Sequence, residues 1–204
     1  MTRKLNTLGL ALVAALALTA VTASAAQANF TSSVFNPSLH GVQTESHKWT
    51  QGAGIGAMTC GTATFSGTGA GISNPTLTIK PTYGPTCTDS LGRVVHIIVH
   101  TLELHFLSTV DKGKVTLTGE MVLTVTGGGG HCTITTKGHQ TLNGITYTQL
   151  GNDLLLTTHT NNIHSTIEGP AFICGTSTTT QTTGTYTGKT LLKGNGGAAV
   201  ISVH

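Results

Sequence analysis

Between Val115 and Val125 the chain alternates almost without exception. Val115, Leu117, Met121, Leu123 and Val125 hold the odd positions, and Lys114, Thr116, Thr118, Glu120, Thr124 and Thr126 the even ones. A period of two sends successive side chains to opposite faces, so this stretch is a strand with one buried and one wetted side. Upstream, Leu102, Leu104 and Phe106 share a face while Glu103 and His105 share the other. Before them Val94, Val95, Ile97, Ile98 and Val99 are apolar on both faces, which predicts a central strand or a bulge near His100. A polar turn at Asp111, Lys112 and Gly113 joins the two patterns into a hairpin. Matching the apolar faces pairs Phe106 with Leu117, Leu104 with Gly119 and Leu102 with Met121. The same register sets Glu103 across from Glu120 with His105 two residues along, and like charges placed opposite one another are unfavourable.

The rest of the chain repeats this grammar in shorter pieces. Strands are predicted over residues 57–66, 76–83, 132–136, 145–149 and 154–158, with a further one through Ile163. They are separated by turn signals such as Gly84-Pro85, Asn143-Gly144 and Gly151-Asn152-Asp153. Residues 29–43 read as an irregular lead-in. Residues 177–187 are almost all Thr, Ser, Gln and Gly, low in complexity but high in β propensity, and read as an exposed edge strand. Residues 190–192 and 198–203 form a closing hairpin around Gly194–Gly197. No segment of the mature chain has helical periodicity. The expected fold class is therefore all-β, an antiparallel sandwich or barrel-like fold.

The first 28 residues are read as an address. Arg3 and Lys4 precede an uncharged run rich in Leu, Ala and Val that ends in Ala26-Gln27-Ala28, the pattern of a secretory signal peptide. Residues 29–204 then form a single exported domain, secreted or extracellular, with no membrane span after cleavage. Without Arg3 and Lys4 the ten basic residues fall to eight against seven acidic ones, a net charge of about +1 that gives no electrostatic basis for nucleic acid or anionic membranes. A domain of this length buries roughly 70% of its unfolded surface, enough for a real core.

Cys60, Cys87, Cys132 and Cys174 all lie in the exported part, and in that compartment an even count reads as disulfides. Three connectivities are possible; the favoured one joins Cys60 to Cys87 and Cys132 to Cys174. Zinc is disfavoured because no two cysteines are two to four residues apart.

Cys60-Gly-Thr-Ala-Thr-Phe-Ser-Gly-Thr68, Leu77-Thr-Ile-Lys-Pro-Thr-Tyr83 with Cys87, Gly144-Ile-Thr-Tyr-Thr148, Phe172-Ile-Cys-Gly175 and Gly184-Thr-Tyr-Thr-Gly-Lys189 together resemble an uncharacterised family of small secreted Thr/Gly-rich β-proteins from actinobacteria. The resemblance covers most of the mature chain. It implies export, β structure and sequential disulfides, and no activity. Members of that group often carry an extra cysteine pair near the middle, where this chain has Leu102 and the strand ending at Val125.

The chemical inventory is thin. Glu103 and Glu120 are the one carboxylate pair the sequence places together; about 5 Å apart they would suit glycoside hydrolysis, or with His105 a cation site. Both splayed into water is the simpler arrangement. His96, His100 and His105 do not share a face on one strand. Gly127–Gly130 lacks the Gly-Lys-Ser/Thr and helix of a phosphate loop, and there is no Gly-x-Ser-x-Gly. Trp49, the sole tryptophan, reads as core or rim packing. No cofactor and no catalytic residue is expected. The leading expectation is a non-enzymatic extracellular or cell-envelope module that binds an unknown partner through an uncharged Thr-rich sheet face. Weak metal-dependent or glycoside-directed activity at Glu103, His105 and Glu120 is one alternative. Ice or surface binding through Thr-x-Thr triplets such as Thr116–Thr118, Thr124–Thr126 and Thr133–Thr135 is another, although their spacing is not periodic.

Overall fold

A computed structural model describes residues 28–51, 55–85, 87–107, 112–175 and 180–204, with the side chains of 180–182 left out. The proposed signal segment therefore lies outside the described residues except for Ala28, as does Asp111 of the predicted turn. Sixteen strands are described: β1 Phe30–Ser32, β2 Ser38–Gln51, β3 Gly56–Cys60, β4 Ala63–Thr68, β5 Ser73–Asn74, β6 Thr76–Tyr83, β7 Cys87–Thr88, β8 Val94–Val99, β9 Leu102–Phe106, β10 Lys112–Leu117, β11 Met121–Gly127, β12 Gly130–Thr136, β13 Thr141–Leu150, β14 Asp153–Glu168, β15 Thr180–Gly194 and β16 Ile201–Val203. A single helical turn, α1, spans Ala171–Cys174.

The pairings close twice. One ring runs β2-β3-β7-β8-β11-β12-β14-β15 and returns to β2; the other runs β2-β4-β6-β9-β10-β13-β14-β15 and also returns to β2. Every pairing is antiparallel, and the two rings list their members in the same order, so they are the two halves of one barrel. Three of its eight staves, β2, β14 and β15, run the full height. The other five are each interrupted at the waist, as β3/β4, β7/β6, β8/β9, β11/β10 and β12/β13. Chain order around the wall is simple up-and-down, which removes the exposed edges of an open sheet.

Why the waist breaks is visible in the central hairpin. Below it Leu102 faces Leu117 and Phe106 faces Gly113; above it Val99 faces Met121 and Val95 faces Val125. Two residues, His100 and Thr101, thus stand against three, Thr118, Gly119 and Glu120, which is a bulge at the position the two-faced apolar run predicts. Thr118 Oγ1 donates to the Thr101 carbonyl at 2.5 Å, so the bulge supplies its own hydrogen bonds. Gly119 also meets the next stave's break: a Cβ on Gly138 would stand 3.0 Å from the Gly119 backbone.

The register departs from the sequence expectation by four residues. Glu103 lies across from Thr116 and Thr78, and Glu120 falls in the bulge, so the like-charge opposition does not form. Matching apolar faces alone could not choose among registers that differ by an even number. Other expectations are also corrected. Residues 29–43 contain β1 and the start of β2 rather than an irregular lead-in. β15 is paired on both sides, by β14 and β2, from Gly184 onward, so among the described residues the predicted edge strand is an edge only over its start at residues 180–183, which pair with β14 alone. The closing hairpin is reduced to one antiparallel bridge, Gly194 with Ala199, because Leu192 belongs to β15 while β16 pairs with β1.

Small structures close both mouths. At one end β16-β1-β5 forms a three-stranded sheet whose Phe30 and Ile201 point into the barrel, with Phe30 stacked on Phe106 at a centroid distance of 6.1 Å. At the other end α1 is tied to the wall by Cys132–Cys174, and a second bridge, Cys60–Cys87, joins adjacent staves; their Cα atoms are 5.3 and 4.0 Å apart. This is the sequential connectivity. Asp89 secures the same end: it accepts from the Leu91 and Arg93 amides and from Arg93 Nε, while Arg93 Nη1 donates to the Ile173 carbonyl at 3.0 Å.

The core is divided like the wall. One cluster fills the half near the terminal sheet, including Phe65, Leu77, Phe106, Tyr147 and Leu192. A second, around Trp49, Leu123, Ile134, Ile167 and both cystines, fills the other. Only Leu117, Leu142 and Ile163 form a cluster between them.

Candidate functional site

Between the two cores lies a cavity of about 70 Å3, and residues from all eight staves line it. Leu192, Leu156, Ile79 and Leu104 bound one side, Met121, Val99 and Ile163 the other. Its position follows from the interrupted staves: neither core extends across the gap where the wall kinks. A one-residue bulge in β14 sharpens this. Thr160 pairs with Tyr186 and Ile163 with Gly184, so three steps along β14 match two along β15. Inward positions switch from even to odd numbers there, and Asn162 takes the left-handed conformation, φ 59°, that the extra residue requires.

The lining is largely apolar; its polar groups are Thr158 and Thr160 on β14 and one hydrogen-bonded line on other strands. β2 turns His47 and Trp49 inward, β15 turns Tyr186 and Thr190 inward, and β6 brings Tyr83. Trp49 packs against Tyr83 at 4.8 Å, edge-on, and against Tyr186 at 4.7 Å; His47 lies 5.3 Å from the Phe65 ring. Room for the His47 ring exists because β15 has glycine at 188, where a Cβ would stand 2.8 Å from the imidazole.

The hydrogen bonds in this line have a direction. His47 Nε2 is 3.3 Å from the Lys189 carbonyl, which can only accept, so Nε2 carries the hydrogen and Nδ1 carries a lone pair. Tyr186 therefore donates its hydroxyl to Nδ1. Tyr83, 3.3 Å from the Tyr186 oxygen, donates in turn. All members are neutral. Burial pulls His47 down to about 4, only partly offset by its bond to the Lys189 carbonyl. Burial likewise pushes the Tyr83 and Tyr186 phenols above their ordinary value.

A second polar island lies in the same lumen, where Thr136 and Ser165 share a 2.7 Å hydrogen bond beside buried Gln51.

The residues singled out in the sequence are elsewhere. Glu103 and His105 face outward from β9, His105 within 3.1 Å of Thr116 Oγ1, and Glu120 is exposed. His96 is outward on β8 and His100 sits at the bulge. Among the described residues no three His, Cys, Asp or Glu side chains converge on a metal-sized point. The paired threonines, such as Thr124 with Thr133, line the outer wall, where they alternate with the apolar residues of the interior. A lipid-embedded barrel shows the opposite alternation, apolar outside. No helix among the described residues is long and apolar enough to cross a membrane. Sequence reasoning missed the lumen site because His47, Tyr83 and Tyr186 are far apart in the chain and carry no motif. The available signal was that each occupies an inward position of its strand, as do buried residues such as Leu39 on β2, Ile79 on β6 and Leu192 on β15.

Compared with family models, curated proteins and solved structures, the chain matches none.

Proposed function

We propose that the protein is an exported, non-enzymatic binding module and that its binding element is the barrel lumen rather than the Thr-rich outer wall. Export is supported by the amino-terminal address, by two buried cystines and by the resemblance to secreted actinobacterial β-proteins. Lumen binding rests on one observation: a largely apolar cavity at the waist, between two well-packed cores. An apolar void of this kind stays dry and accepts apolar guests; an engineered cavity of roughly 150 Å3 takes up benzene or xenon. At about 70 Å3 the present one suits a narrower occupant. The polar groups on its wall are neutral, and Tyr83 and Tyr186 are bonded into a line with His47, an arrangement for holding a molecule rather than transforming it.

Xenon tests this directly. Saturating a solution of the mature protein with xenon is expected to shift the methyl resonances of Leu117, Leu142 and Ile163, and Leu117→Phe, which fills the void, is expected to abolish the shift. Unmoved methyl signals in a folded sample would refute a lumen site.

A further inference from the structure

We infer that the preferred occupant is a small neutral alcohol that donates its hydroxyl hydrogen to the Tyr83 oxygen; this rests on the lumen reading above. Two features of the wall select that class.

The first is the sense of the hydrogen-bonded line. The Lys189 carbonyl fixes the His47 tautomer, the tautomer makes Tyr186 a donor to Nδ1, and Tyr186 then accepts from Tyr83. Every phenolic hydrogen is directed along the line toward His47. What remains at its cavity end is a lone pair on Tyr83, an acceptor with no hydrogen-bonding hydrogen of its own left to give. A guest that brings an O–H completes the line. A ketone or ether of the same size brings only acceptors: it can take a hydrogen from the Thr158 or Thr160 hydroxyl as an alcohol can, but at Tyr83 it makes no bond unless the one from Tyr83 to Tyr186 is broken. Thr190 Oγ1, 3.2 Å from His47 Nε2, shares that nitrogen's hydrogen with the Lys189 carbonyl; the opposite sense, with Thr190 donating to Nε2, would forfeit the bond to that carbonyl.

The second is the lack of any charge to meet an ion. His47, Tyr83 and Tyr186 are held neutral by burial. No lysine, arginine or carboxylate lines the cavity, so a carboxylate guest would be desolvated without a partner. The remaining lining, from Leu192 and Leu156 across to Met121 and Ile163, is mostly hydrocarbon that suits an unbranched aliphatic chain, with the Thr158 and Thr160 side chains of β14 set in it.

The test uses four probes of five non-hydrogen atoms each: 1-butanol, 2-butanone, n-pentane and propionate. Each is titrated into the mature protein, with Trp49 emission as the readout, because the single tryptophan lines the cavity. One neutral hydrogen bond corresponds to an affinity advantage of about three- to tenfold. We expect 1-butanol to exceed 2-butanone by that factor and propionate not to bind. In Tyr83→Phe, which removes one oxygen, 1-butanol is expected to lose the advantage while n-pentane binds as before. The comparison of alcohol with ketone in the unaltered protein stands even if the variant folds poorly. Equal affinity for alcohol and ketone, binding of propionate, or an undiminished advantage in Tyr83→Phe would overturn the alcohol assignment while n-pentane and xenon still bind. Failure of xenon and all four probes would overturn the lumen reading itself, and the alcohol assignment with it.

Discussion

Tyr186 hands its phenolic hydrogen to Nδ1 of His47 across adjacent strands, a bond that suits the uncharged histidine that burial enforces in the middle of the barrel. His47 is only 2% exposed, so the cost of charging it is not relieved by water. Its pKa falls from 6.5 to about 4 on folding. The unfolded chain therefore binds more protons than the native one between those values, and stability drops as pH falls through that window. The full contribution is present above about pH 6.5, and the loss by pH 4 corresponds to about 3 kcal/mol. Urea midpoints at pH 7.5, 5.5 and 4 should fall in that order, and His47→Gln should flatten the fall. Asp89 acts lower on the scale. Burial alone would raise its pKa, but the bonds from Arg93 and Leu91 outweigh it and hold the carboxyl below its usual value, so its contribution disappears only at more acidic pH.

Gly188→Ala should disturb the same centre by crowding alone. The new methyl would stand 2.8 Å from the His47 ring. Overpacking of this kind costs typically about 1 to 3 kcal/mol. For a domain of this size that lowers Tm by roughly 2 to 4 °C per kcal/mol, readable by calorimetry together with a change in Trp49 emission.

Asp89→Asn should loosen the mouth closed by α1. The substitution leaves Arg93 without its charged partner while Arg93 still reaches the Ile173 carbonyl. Breaking a buried pair costs on the order of 3 kcal/mol. Hydrogen exchange at the Ile173 and Cys174 amides, which bond to the Pro170 carbonyl, should accelerate more than exchange in β10 or β13.

Phe30→Ala should open the opposite mouth. Phe30 is fully buried and stacks on Phe106. Loss of a buried phenylalanine costs about 3 to 5 kcal/mol, so the terminal sheet should exchange faster and an external quencher should reach Trp49 more easily.

Each cystine closes a loop of tens of residues, with separations of 27 and 42, and should contribute about 3 to 4 kcal/mol. Replacing Cys132 and Cys174 by Ala, or Cys60 and Cys87 by Ala, should lower the denaturation midpoint in either case. Loss of the first pair should also release α1, seen as faster exchange at Ile173.

The β class and the cystine pairing were legible in the sequence, and the bulge near His100 was one of its two readings, because each is set by local pattern or chemistry. Leu102 and Leu104 against Glu103 and His105 mark a face whatever the strand pairs with. Register was not legible, since a shift of two or four keeps every side chain on its own face, and so Glu103 was set against Glu120 instead of Thr116. Closure was not legible either. Residues 177–187 look like an edge by their Thr-rich composition, yet from Gly184 on the strand is paired on both flanks, a fact that resides in β2 and β14 rather than in the segment; among the described residues, 180–183 pair with β14 alone. The lumen line was hidden for the same reason: His47 meets Tyr186 only because the first stave joins the last.

That seam between β2 and β15 couples residues about 140 positions apart, for instance Trp49 with Tyr186. While the chain is being delivered residue by residue, the wall cannot be completed until the final stave arrives. A product truncated before Thr180 would be left with β2 and β14 both unpaired along one long side, two sticky margins that β15 covers in the finished barrel. Assembly of this barrel is accordingly an event of the whole chain, and quality control that senses bare strand margins would distinguish complete copies from partial ones.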